Sequence, residues 1–165
     1  MDEKLKNKWV KALRSGKYIQ AREALRDSAV CDDRYDEETE ELEYLDVNGN
    51  VVDENAVGNC CLGVLCEIAP GIQLDDNSER YIITSQKLKK LFPKDGDGED
   101  SWEFDKDGNI YITGEDIPEP LAKHYGLHKR VVDHGARKTL QSKLIGMNDG
   151  GKNFEQIAKY IEKVL

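Results

Sequence analysis

Asn59-Cys60-Cys61-Leu62-Gly63-Val64-Leu65-Cys66-Glu67-Ile68-Ala69 is the stretch on which the fold turns. Wound at about 100° per residue, it places Cys61, Leu62, Leu65, Cys66 and Ala69 on one broad face, while Cys60, Val64 and Ile68 cover much of the rest. A helix that is apolar on nearly every side belongs at the centre of a core. Pro70-Gly71 ends it, since proline cannot continue the hydrogen-bond ladder and glycine suits the left-handed turn that follows.

Toward the N-terminus, Leu5, Trp9, Ala12 and Leu13 recur at helical spacing before Gly16, which predicts an amphipathic helix over 3–15. Residues 17–26 read equally as a short helix or a strand. Tyr44-Leu45-Asp46-Val47-Asn48-Gly49-Asn50-Val51-Val52 predicts a hairpin turning at Asn48-Gly49, with positive φ at both central positions. Apolar and polar residues alternate on both sides of Asp107-Gly108, predicting a second hairpin over 102–112, and 94–100 before it reads as a flexible loop. Beyond Pro118 the chain returns to helix. A short helical turn at 121–127 precedes a helix over 135–147, with Leu140, Leu144 and Met147 in phase. The last helix starts at a capping box of Asn153 and Gln156 and carries Phe154, Ile157, Ala158, Ile161 and Leu165 as its stripe. The predicted architecture is α+β, one mainly helical domain over 1–165 with two small β-hairpins and an acidic hairpin insertion at about 27–55.

The net charge of −9 is unevenly spread. Residues 27–54 hold twelve acids against Arg34, a net of −11, whereas residues 1–26 hold eight bases against three acids, a net of +5. An acidic block reads as a solvated loop, or as a surface that docks on a basic partner or imitates phosphates. This charge opposes direct nucleic-acid binding by the chain itself. No apolar run reaches the roughly 20 residues that span a bilayer, and Met1-Asp2-Glu3-Lys4-Leu5-Lys6 lacks the apolar region of a signal peptide, so a cytoplasmic protein without a membrane partner is expected. Reduced, buried thiols are expected for its four cysteines.

The candidate chemistry is sparse. Cys60-Cys61-x4-Cys66 with Cys31 lacks the paired knuckles of a zinc site, and adjacent cysteines on a helix diverge. A thiol nucleophile needs a base such as His124, His128 or His134, and an apolar flank raises a thiol pKa. Residues 103–110 match half of a calcium loop, but Gly114 stands where the bidentate acid belongs and Glu115 comes one residue late. No catalytic residue, metal ligand or cofactor is therefore assigned. The binding candidates are the bases Arg14, Lys17, Arg22 and Arg26, the acids Glu37, Glu38, Glu40, Glu41 and Glu43, and Asn148-Asp149, which lead into a helix start able to hold an anion.

Three ordered blocks carry a resemblance: Lys8-Trp9-Val10-x-Ala12-Leu13-Arg14-Ser15-Gly16-Lys17-Tyr18-x-Gln20, Cys60-Cys61-Leu62-Gly63-Val64-Leu65-Cys66-Glu67, and Asn148-Asp149-Gly150-Gly151-x-x-Phe154-x-x-Ile157-Ala158-x-Tyr160-Ile161-Glu162. Together they resemble a family of small uncharacterised proteins encoded by tailed bacteriophages and related mobile elements. Asn59 stands where those relatives tend to have an aromatic residue, and the acidic segment looks like an expansion. The resemblance implies a phage accessory protein in the cytoplasm of an infected bacterium, with no catalytic residues to carry over. The resulting expectation is a protein that binds a host component or small ligand and blocks or sequesters it. The alternative is a small thiol-dependent enzyme using Cys60, Cys61 or Cys66 on a nucleotide or protein.

Overall fold

The computed structural model describes residues 1–22, 24–75, 80–93, 101–113, 116–133 and 135–165. Its helices are α1 (Glu3–Leu13), α2 (Cys61–Ile68), α3 (Gln86–Lys89), α4 (Glu119–His124), α5 (Leu140–Asp149) and α6 (Phe154–Val164). Its strands are β1 (Arg26–Ser28), β2 (Asp32–Asp36), β3 (Glu41–Leu45), β4 (Val51–Val52), β5 (Val57–Asn59), β6 (Ile72–Asp75), β7 (Arg80–Ile83), β8 (Trp102–Phe104), β9 (Ile110–Ile112), β10 (Arg130–Asp133) and β11 (Ala136–Thr139). The expected mainly helical domain with two hairpins is wrong. The described residues are about one-third helix and a little over one-quarter strand, in four antiparallel sheets. The strands outside the two predicted hairpins are three to five residues long, too short for alternation to stand out from loop.

As its sequence requires, α2 lies in the core. Cys61, Leu62, Gly63, Val64, Leu65 and Cys66 are all buried. On one side α1 packs through Leu5, Trp9, Val10 and Leu13, and the Trp9 Nε1–H donates to the Cys61 carbonyl at 2.9 Å. α5 packs on α2, and α6 lies on α1. A Cβ on Gly63 would fall 1.7 Å from the Leu25 carbonyl oxygen, so α2 rests directly on the backbone that leads into β1. The β1–β5 ladder then delivers the chain to Cys60, the N-cap of α2.

The largest sheet has the order β6-β7-β9-β8. It turns Ile72, Tyr81, Ile83, Trp102, Ile110 and Ile112 into the core, with the Trp102 ring edge-on to Phe92. The second sheet, β2-β3-β4, occupies the acidic segment and holds its strands in the register Asp33↔Tyr44, Tyr35↔Leu42 and Tyr44↔Val52. Both expected hairpins form, but neither has positive φ at two positions. Gly49 (φ 78°) and Gly108 (φ 76°) are left-handed, and Asn48 and Asp107 are not. The cause is the aspartate that opens each turn. Asp46 Oδ1 accepts from the amides of Asn48 (2.8 Å) and Asn50 (2.9 Å), and Asp105 Oδ1 accepts from those of Asp107 (2.9 Å) and Asn109 (2.8 Å). That pattern selects a type I turn followed by a left-handed glycine.

Over 135–147 the expected helix is shorter than predicted. Gly135 turns β10 into β11, and α5 begins only after Thr139, whose hydroxyl accepts from the Ser142 amide at 3.1 Å. The helix over 3–15 and the capping box at Asn153 form as expected. The described residues of 17–26 are neither helix nor a full strand and contribute a bridge from Gln20 to Asn59 and the start of β1. The predicted loop at 94–100, His134, Gly114 and Glu115 lie outside the described residues.

Candidate functional site

Strand alternation splits the acidic sheet into two faces. One carries Asp33, Tyr35, Leu42, Tyr44 and Val52, and the other Asp32, Arg34, Asp36, Glu41, Glu43, Leu45 and Val51. On the second face Arg34 Nε is 2.7 Å from Glu43 Oε2. The first face is not packed into the core at its outer end, where the cross-strand neighbours Tyr35 and Leu42 are 61% and 48% exposed. Beyond them Glu37, Glu38 and Glu40 form the exposed β2–β3 turn, in which Asp36 Oδ1 accepts from the Glu38 amide at 2.8 Å. Glu40 closes that turn at φ 57°, a left-handed conformation held without glycine. The predicted acids Glu37, Glu38, Glu40, Glu41 and Glu43 are thus gathered on one hairpin, and Tyr35 and Leu42 between them were missed. The available signal was the alternation in Asp33-x-Tyr35 and Leu42-x-Tyr44, submerged in charge.

The predicted bases are scattered and are not assembled into one anion site. Arg14 is held bidentately by Glu162 (2.6 and 2.8 Å) and by Glu155 (2.9 Å). The bonds to Glu162 and Glu155 raise its pKa further, and Arg14 lowers both carboxylates. Lys17 lies over the Tyr18 ring, 5.0 Å from its centroid. Arg26 Nη1 is 3.7 Å from Glu67 Oε1, and Arg22 is half-buried beside Gly151.

Asn148 is fully buried and its amide joins three elements of the core. Its Oδ1 accepts from Gln20 Nε2 (3.1 Å) and the Cys61 amide (3.3 Å), and its Nδ2 donates to the Ala21 carbonyl (2.8 Å). Those bonds engage both ends of the Asn148 amide within the core. Asp149 follows it at the end of α5. A cleft of about 620 Å³ opens between the C-terminal end of α1, the start of α6 and the β3–β4 turn, its lining including Leu13, Arg14, Ile19, Asn48, Val52 and Phe154.

Cys60, Cys61 and Cys66 are buried and Cys31 is exposed. Hydrogen bonding from Cys61, together with the Gly63 and Leu62 amides at the start of α2, holds the Cys60 thiol below its usual range, while Cys61 is pushed up by its bond to Cys60 and by burial. Burial pushes the Cys66 thiol far up. Among the described residues, no group of three His, Cys, Asp or Glu side chains is placed to hold a metal ion, and no helix is long and apolar enough to cross a membrane.

The family described as Domain of unknown function (DUF8296) matches residues 1–31, which cover α1 and the segment leading to β2. No curated protein and no solved structure matches the chain.

Proposed function

We propose that the protein acts by occupancy: it docks through the β2-β3-β4 sheet on a basic surface of a host component and blocks or sequesters it. The observation that carries this reading is the exposed Tyr35–Leu42 pair on the β2–β3 ladder, with Asp33 on the same face and the Glu37, Glu38 and Glu40 turn at its end. Aromatic and aliphatic anchors inside a charged rim are the make-up of a protein contact, in which the apolar centre supplies affinity and the rim steers approach. A merely solvated acidic loop would not need five-residue paired strands. The resemblance of three sequence blocks to tailed-phage proteins supports a phage accessory role in an infected bacterial cell. A thiol-dependent reaction finds less support: the Cys60 thiol is held below its usual range, but Cys60, Cys61 and Cys66 are all buried, and the Cys61 and Cys66 thiols are pushed up.

The test is capture from bacterial lysate by the wild type, by a variant with Glu37, Glu38, Glu40, Glu41 and Glu43 changed to Gln, and by Tyr35→Ser/Leu42→Ser. The expected result is a basic host protein held by the wild type, eluted by salt, and lost from both variants. Equal capture by all three forms removes the sheet from the mechanism.

A further inference from the structure

Outside the acidic sheet, the most exposed large apolar side chain is Val132, at 73%. It lies on the β10–β11 hairpin, a two-stranded ladder with the register Arg130↔Thr139, Val131↔Lys138 and Val132↔Arg137. Alternation puts Arg130, Val132 and Arg137 on one face, and all three are exposed. That face is the inverse of the acidic one: an apolar centre flanked by two guanidinium groups, against an apolar Tyr35–Leu42 pair flanked by carboxylates. Lys138 and Lys143, on the same part of the molecule, are engaged with Asp133 at 3.3 and 2.7 Å.

We infer that the protein associates with itself head to tail, the Arg130–Val132–Arg137 face of one copy seating on the Asp33–Tyr35–Leu42 face of the next. Charge complementarity selects this pairing over contacts between like faces. Two acidic sheets brought together would set Asp33 and the Glu37–Glu41 turn against their like, and two basic hairpins would oppose Arg130 and Arg137. Both faces are open on the same chain, and joined head to tail the contact is heterologous: a dimer leaves one face of each sign free and further copies can add. Two small patches, each built on two or three short strands, fit a weak and reversible contact. The inference does not depend on a host partner. If the partner proposed above exists, it competes with the second copy for the same Tyr35–Leu42 face.

Sedimentation of the full chain over a range of concentrations decides the matter. The wild type is expected to grow in mass with concentration, without stopping at a dimer, and to return to monomer as the Debye length shrinks from about 8 Å in physiological salt to about 3 Å at 1 M. Arg130→Glu/Arg137→Glu and Tyr35→Ser/Leu42→Ser are each expected to stay monomeric alone. Mixed together they are expected to form a one-to-one dimer, because the first retains the acidic face and the second the basic one. A wild type that stays monomeric at every concentration overturns the inference, as does association that survives 1 M salt or a mixture that stays monomeric. Circular dichroism on each variant shows that it is folded, and the salt series reads the same contact without any substitution.

Discussion

The two larger sheets of this protein are built with the same turn and put to opposite uses. Asp46-Val47-Asn48-Gly49-Asn50 and Asp105-Lys106-Asp107-Gly108-Asn109 share the opening aspartate, the left-handed glycine and the closing asparagine, whose Nδ2 returns to the aspartate at 3.0 and 2.9 Å. Yet β6-β7-β9-β8 turns Ile83, Ile110 and Ile112 into the core, and β2-β3-β4 leaves Tyr35 and Leu42 in water. Turn chemistry decides that a hairpin forms, and the residues one strand away decide whether it is buried. A ladder that is kept ordered while its apolar face stays open is suited to receiving another molecule.

The sharpest way to break this contrast lies at the body of the molecule. Gly63→Ala drives a methyl into the Leu25 backbone, where no side chain can give way. It should cost more than about 3 kcal/mol, a large part of the ~5–15 kcal/mol that stabilises a domain, and is checked by the urea midpoint or by loss of soluble protein. Next comes a matched pair, one from each sheet. Ile83→Ala empties a fully buried site and should cost about 2–5 kcal/mol. Leu42→Ala should stay within about 0.5 kcal/mol of the wild type. Equal losses would mean that the acidic sheet is packed like the core.

Acid probes what the two sheets share. Burial favours the protonated form of Asp46, but the Asn50 and Asn48 donors outweigh it and hold its carboxyl below the usual range. Asp105 is lowered first by the Asn109 side chain and then by backbone amides and Lys89. Because both folded values are depressed, the stabilisation is complete above the ordinary aspartate value of about 3.9 and is lost as pH falls through the folded values. Asp46→Asn/Asp105→Asn should therefore lose less stability than the wild type between about pH 5 and pH 2, measured as urea midpoints along the series. The slope should not vanish, since Asp133, Glu155 and Glu162 are lowered too, by Lys143 and by Arg14. A small effect of the opposite sign is expected at the tip. Glu40→Gly relieves a left-handed non-glycine residue and should raise stability by about 0.5–1 kcal/mol, seen as a rise in Tm.

What could be read in advance followed from element length. α1, α2 and α6 each run eight residues or more, long enough for an apolar stripe, a cap or an all-apolar surface to show. β6 and β7 have four residues each, and two alternations do not stand out, whereas β8 and β9, of three residues each, were legible from the alternation about Asp107-Gly108. At the candidate site the acids were legible as composition. Tyr35 and Leu42 were not, because exposure depends on where the finished sheet points. Arg14 looked available for a ligand only because its partners Glu155 and Glu162 lie at the other end of the chain. Asn148 looked like part of an anion loop, and only the folded chain brings Gln20, Ala21 and Cys61 to it.

The central claim, that the open acidic sheet is a docking face and not a piece of core, is tested most directly by Tyr35→Ser/Leu42→Ser. Its urea midpoint and its capture of a basic partner would be measured beside the wild type. The account predicts a midpoint within about 0.5 kcal/mol of the wild type together with lost capture. A midpoint that falls as far as that of Ile83→Ala, or capture that survives unchanged, would contradict it.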